Sequence, residues 1–233
     1  MKIKFDYFRF VLLFAGIILL MIFFISNYIN EKDSQDILAK QLYKAIETGN
    51  KDLVARIVKK NKEVIGSGNF LHEAAFNSRR DIAEILIQNG ANVNLKALRG
   101  DFTPLFVSST KGDIGMMLLF IKNGADIDTR NNLNKTPLIC AAENGQLEAV
   151  KLLIQHGADI NIKSKFTDAS MGSALFYALK KGHYNIVKEL LGNGAVADKE
   201  YMIQFLRDRI EKYSSTEDIK NKYEKTIEII RKS

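Results

Sequence analysis

The sequence predicts an all-α protein: a solenoid of about five stacked helix–turn–helix units with hairpin loops, preceded by one transmembrane helix. Three observations predict it. An uncharged run of sixteen residues lies near the N-terminus, a glycine-containing tripeptide recurs at near-regular spacing, and apolar residues keep fixed offsets from it. These divide the chain into residues 1–30, a signal anchor; 31–198, the repeats; and 199–233, a C-terminal helical cap.

The run Phe10–Ile25, FVLLFAGIILLMIFFI, gives about 24 Å of helix at 1.5 Å per residue. That is a little short of the roughly 30 Å hydrocarbon core. Phe8, Tyr28 and Ile29 as interfacial residues, with Arg9 snorkelling, close the gap, so residues 8–29 are the expected membrane contact. A cleaved signal peptide is the competing reading, and a helix packed on the domain is a third. The exit Phe23-Phe24-Ile25-Ser26-Asn27 lacks the small residues that cleavage needs. Lys2, Lys4 and Arg9 precede the run, against Lys32 just after it, which places the N-terminus in the cytoplasm and the repeats outside, in the periplasm of a bacterium. A longer count adds Lys40 and Lys44 and erases the bias.

The tripeptides NGA, NGA, HGA and NGA carry Gly90, Gly124, Gly157 and Gly194, spaced by 34, 33 and 37 residues. Twelve residues before each stands Ser78, Gly112, Gly145 or Gly182; an earlier copy pairs Gly49 with Asn61. Asn is the non-glycine residue that most readily adopts the left-handed conformation ending a helix. Apolar residues follow the first of each pair at offsets 4, 5, 8 and 9: Leu53, Val54, Ile57 and Val58; Ile82, Ala83, Leu86 and Ile87; Met116, Met117, Phe120 and Ile121; Ala149, Val150, Leu153 and Ile154; Ile186, Val187, Leu190 and Leu191. That is a helical stripe two residues wide, repeated five times.

A second helix precedes each stripe. Thr103-Pro104 and Thr136-Pro137 mark its start, with Thr as cap and Pro where no donor is needed. Asn69 and Ser173 hold the capping place in their copies, and Lys40 cannot cap in this way. Leu42, Leu71, Leu105, Leu138 and Leu175 follow, then mostly small pairs such as Ala74-Ala75, Ser108-Ser109 and Ala141-Ala142. The tail reads as two helices, one marked by Tyr201, Ile203, Phe205, Leu206 and Ile210, the other starting at Ser215 with Ile219, Tyr223, Ile227 and Ile230 on one face. An open stack end needs such a cover.

T-P-L-x-x-A-A-x-x-G, an apolar helix and then N-G-A-D-I-N is the pattern of the ankyrin repeat, and residues 136–162, TPLICAAENGQLEAVKLLIQHGADINI, resemble it almost completely. The resemblance covers roughly residues 37–198. Four residues are missing after Asn61, one is added near Ala97–Arg99, and four are added between Lys163 and Gly172, all in loops.

The chemistry of catalysis is not written here. His72, His156 and His183 fall at positions that such repeats fill structurally, and Cys140, the lone cysteine, has no evident partner base. Neither a phosphate-binding loop nor a metalloprotease or nucleophile-elbow motif occurs. No cofactor, metal or small-molecule substrate is expected. The net charge of +7 is spread along the chain, which excludes a nucleic-acid footprint. Asn134-Lys135-Thr136 matches a glycosylation sequon, but Thr136 is accounted for as a cap.

The resemblance implies a non-catalytic module that binds a protein partner through the concave face, at hairpin tips and the exposed ends of the first helices. On this chain those positions are Phe76 and Asn77; Leu98, Arg99, Phe102, Thr110 and Lys111; Asn132, Leu133, Lys135, Glu143 and Asn144; and Phe166, Met171, Lys180 and Lys181. Their apolar members stand out, since interface anchors are enriched in aromatics and Arg within a polar ring. The competing placement tucks Leu98 and Phe102 under their hairpin. Leu118 is a second oddity, standing where other copies have Ala55, Glu84, Lys151 and Lys188. A narrower alternative is an immunity or inhibitor protein neutralising a toxin or enzyme at the membrane, since some toxin-neutralising proteins share this build.

Overall fold

A computed structural model describes the backbone of residues 2–97, 99–165, 172–196, 198–213 and 217–232, with side chains throughout except at 2–19, 30, 67, 213, 218 and 219. All the described regular structure is helical. The helices are α1 (Lys2–Thr48), α2 (Lys51–Lys60), α3 (Phe70–Phe76), α4 (Arg80–Gln88), α5 (Pro104–Lys111), α6 (Ile114–Lys122), α7 (Pro137–Glu143), α8 (Leu147–Gln155), α9 (Ala174–Lys181), α10 (Tyr184–Gly192), α11 (Lys199–Tyr213) and α12 (Glu217–Lys232), with a 3₁₀ turn at Lys62–Ser67.

Two layers form. In one, α1, α3, α5, α7 and α9 pack in succession; in the other, α2, α4, α6, α8 and α10 do. The offset register explains the contact between them. Three of every four predicted stripe residues are buried, and the fourth is half-buried. The first-helix leucines are buried in every copy, and Ala74, Ala75, Ser108, Ser109, Ala141 and Ala142 have no exposed surface. Small side chains there let neighbouring first helices approach closely. Ser108 and Ser109 satisfy their hydroxyls by donating to the Leu105 carbonyl at 3.0 and 2.7 Å.

The caps follow the sequence in three copies and depart from it in one. Thr103, Thr136 and Ser173 accept from the backbone N–H of Phe106, Ile139 and Phe176. Asn69 sits at the cap position without a side-chain cap bond. Its own N–H instead donates to the Tyr43 hydroxyl at 2.7 Å, because α1 brings Tyr43 beside Phe70, ring centroids 4.6 Å apart.

The first copy is the other departure. Its first helix does not begin near Lys40: α1 runs unbroken across the expected boundary at residue 30, since no Gly or Pro stands between Ile17 and Thr48. Asn61 is not left-handed either, at φ −137°. With four residues missing, α2 passes directly into the 3₁₀ turn, and Asn61 makes that junction at φ −137° and ψ 74°. The turn buries Val64 and Ile65, which the repeat pattern had not assigned to the core.

Among the described residues no helix is long and apolar enough to cross a membrane, and the side chains of Phe10–Leu19 lie outside that description. Where α1 is described beyond them, Leu20–Ile25, Tyr28 and Ile29 are each 50–68% exposed. At the other end, α12 packs on α10 and α11. Met202, Leu206, Tyr223, Ile227 and Ile230 are buried there, and Phe205 faces Phe176 of α9 with centroids 5.9 Å apart. Ser215 and the side chain of Ile219 lie outside the described residues.

Candidate functional site

Among the described residues the hairpins and first-helix ends line a rim tied from copy to copy by hydrogen bonds. The Asn94 amide bridges to the next copy, donating to the Gly124 carbonyl at 2.9 Å and accepting from the Asp126 N–H at 2.8 Å. Asn161 repeats this with Gly194 and Val196, at 3.4 and 2.8 Å. Asp128 accepts from the Asp159 N–H at 3.1 Å. At the tips, Lys165 N–H donates to the Leu133 carbonyl at 2.8 Å, and the Asn134 amide to the Lys163 carbonyl at 2.7 Å. The sequon asparagine is therefore already engaged within the rim.

A second repeated device fixes the helix ends, and sequence reasoning missed it. In three copies the residue following the glycine-like position reaches back to the preceding copy's first helix. Arg79 donates to the Glu47 carbonyl, Gln146 to that of Thr110 and His183 to that of Glu143, at 3.1, 3.4 and 3.1 Å. His183 also covers Gly145, where an added Cβ would stand 2.7 Å from the imidazole and φ is +76°. Ser78 takes the same left-handed turn at φ 54°. A side chain fits there because the corresponding residue of the next copy, Asp113, is short and caps its own helix through the Met116 N–H. The signal was present in sequence: Arg79, Gln146 and His183 each stand in the copy after one that turns on a glycine, and the short Asp113 in the copy after Ser78.

The predicted binding residues separate into three groups. Phe76 and Leu133 stand out on the rim, 66% and 52% exposed. Arg99, Asn132, Asn144, Lys180 and Lys181 are exposed beside them, with Asn77 and Thr110 half-buried. Lys111 lies over the Phe76 ring, 5.5 Å from its centroid, and donates to the Phe76 carbonyl and to the Ser78 hydroxyl.

Other members are drawn into the fold. Lys135 and Glu143 pair at 2.5 Å with side chains only 14% and 23% exposed, and the ammonium sits 4.3 Å over the Tyr177 ring. Burial disfavours the Lys135 charge, but the Glu143 carboxylate, Tyr177 and Cys140 outweigh it and raise its pKa. Phe102 is half-buried, its ring 4.9 Å from Phe106 and folded against Gly100 of its own hairpin. Leu98, Phe166 and Met171 lie outside the described residues.

Neither histidines nor cysteine assemble a reactive centre. His72 Nε2 donates to the Phe102 carbonyl at 2.7 Å, and burial lowers its pKa against the opposing carbonyls of Phe102 and Leu95. His156 Nδ1 donates to the Leu152 carbonyl at 2.9 Å as its helix ends. Cys140 is buried and its thiol is pushed up to about 12, which keeps it protonated and unreactive. Among the described residues no group of His, Cys, Asp and Glu could hold a metal ion.

Leu118 is 43% exposed on the opposite layer. Comparison with known families locates two matches: residues 105–201 fit the family described as ankyrin repeats (3 copies), and residues 70–98 the one described as ankyrin repeat. No curated protein matches the chain. The first copy falls outside both matches, yet Leu42, Ala45, Ile46, Val54 and Ile57 fill the same buried positions, with Val58 buried where the other copies are half-buried and Leu53 the reverse.

Proposed function

We propose, for a chain that belongs to the ankyrin-repeat family, that it is a non-catalytic module holding a protein partner at a membrane. The observation that carries the binding reading is the exposure of Phe76 and Leu133 on the polar rim. Beyond Ile37, the large apolar side chains left exposed among the described residues are Phe76, Leu118, Leu133 and Val196. Two of these four lie at positions the family uses for partners. An apolar residue ringed by polar ones is the make-up of an interface anchor. Lys111 over Phe76, with the exposed Arg99 and Asn144, supplies the polar surround.

Membrane tethering rests on the run Phe10–Ile25 within α1 and on the near-uniform exposure of Leu20–Ile25. A helix apolar on all sides is covered by lipid or by other helices, not by water. Because α1 continues into the first copy, no flexible linker separates the tether from the stack. The charge bias of Lys2, Lys4 and Arg9 over the residues next to the run supports repeats that lie outside the cytoplasm.

Affinity capture with the full chain, followed by titration of the captured protein, tests the binding reading. Leu133→Asp is expected to weaken binding about thirtyfold, equivalent to ~2 kcal/mol at an anchor. Unchanged affinity in both Leu133→Asp and Phe76→Asp would move the interface off the rim. An alkaline phosphatase fusion after Ser233 is expected to be active; a fusion active only as a cytoplasmic reporter would reverse the topology.

A further inference from the structure

We propose a second docking site, for an acidic peptide segment of a protein partner, in the groove between the last repeat and α12. The groove has a volume of about 520 Å³. Leu147, Tyr184 and Ile229 contribute apolar surface to it, and Lys188, Lys222 and Lys225 line it as well. All three lysines are exposed, and none has an ion pair within 4 Å among the described residues. No carboxylate lines the groove.

Folding does not require this arrangement. Lys222 and Lys225 are i,i+3 neighbours on α12, and like charges at that spacing repel. Lys188 comes from α10, so α12 docks with its lysines beside another cation. Three unpaired ammonium groups around an apolar floor are complementary to carboxylates flanking an apolar residue. The groove meets the first-helix ends at Gly145 and Gly182, and no hairpin residue lines it, so it can engage a part of a partner other than the one at Leu133. A protein that binds here and on the rim would gain affinity from the linkage of two sites.

The test uses the full chain in phosphatidylcholine nanodiscs and a fluorescein-labelled glutamate peptide with a central leucine, followed by anisotropy. Saturable binding is expected, weakening as salt rises. Lys188→Glu with Lys222→Glu is expected to lower affinity at least tenfold, and Lys222→Arg to retain it. Replacing the central leucine by serine is expected to weaken binding severalfold, and Leu133→Asp to leave it unchanged. The proposal is overturned if the unmodified chain shows no saturable binding or if the charge reversals bind as well. It is equally overturned if inorganic phosphate at matched ionic strength displaces the peptide completely, which would leave a simple anion site. Failure here leaves the rim untouched, because Leu133→Asp is read out with a different ligand.

Discussion

The first and fourth copies bury nearly the same positions and connect them in different ways. One stripe place is exchanged: the first copy has Val58 buried and Leu53 half-buried, the fourth Ala149 buried and Ile154 half-buried. In the first, Leu42, Ala45, Ile46, Val54, Ile57 and Val58 form the buried set; in the fourth, Leu138, Ala141, Ala142, Ala149, Val150 and Leu153 do. Yet the fourth copy opens on a Thr136 cap and closes on Gly157 at φ 85°, whereas the first opens inside α1 and closes on Asn61 at φ −137°. The stripe spacing sets which residues meet between layers. The connections have only to satisfy backbone groups, and several local solutions do so.

Position in the stack should therefore govern the cost of the same lesion. Ala141→Asp places a charge in a close contact with a copy on either side. A loss of at least about 3 kcal/mol is expected, as for an unpaired buried charge, with cooperative unfolding at lower urea. Ala45→Asp in the first copy has neighbours on one side only. Nearest-neighbour coupling predicts fraying of that end, seen as lost hydrogen-exchange protection in α1 and α2 while α7 and α8 stay protected. Equal global destabilisation by both would break the comparison.

The 3₁₀ turn sharpens it. Val64 is fully buried, so Val64→Ala should cost about 1–2 kcal/mol by lost burial and the cavity left behind. A neutral result in urea titration would mean that the turn merely covers the first copy. Next come the left-handed turns. Ser78→Gly should gain about 0.5–1 kcal/mol by relieving φ 54°. Gly145→Ser should instead be destabilising, because the imidazole of His183 occupies the space. Thermal melts of the two variants moving in the same direction would contradict the Asp113 explanation.

The smallest effect expected is on acidification. His72 is held neutral, its folded pKa below the ordinary 6.5, mainly through burial. Unfolded protein binds that proton more readily. The His72 contribution is complete above about pH 6.5 and is lost as pH falls from there through the folded pKa. His72→Gln should flatten the fall in urea midpoint over that range; an unchanged slope would assign it to other groups.

Periodic features were legible from residues alone: stripe offsets, Thr-Pro starts, and Ser78 standing for glycine. They repeat, so each copy tests the others. What escaped was singular. Val64 and Ile65 enter the core where a loop is shortened, and Asn69 gives its N–H to Tyr43 only because α1 brings that hydroxyl near. On the rim, Leu133 and Phe76 were readable as apolar residues in polar places. The pairing of Lys135 with Glu143 was not, because eight residues separate them across a hairpin and a helix. Surface exposure depends on such tertiary partners, which residue type does not encode.

The most direct measurement is site-specific photo-crosslinking in cells, with benzoylphenylalanine placed in turn at Phe76, Leu133 and Leu118. Phe76 and Leu133 should yield an adduct of one common mass, and Leu118, on the opposite layer, none. An adduct from Leu118 alone would contradict a partner held on the rim.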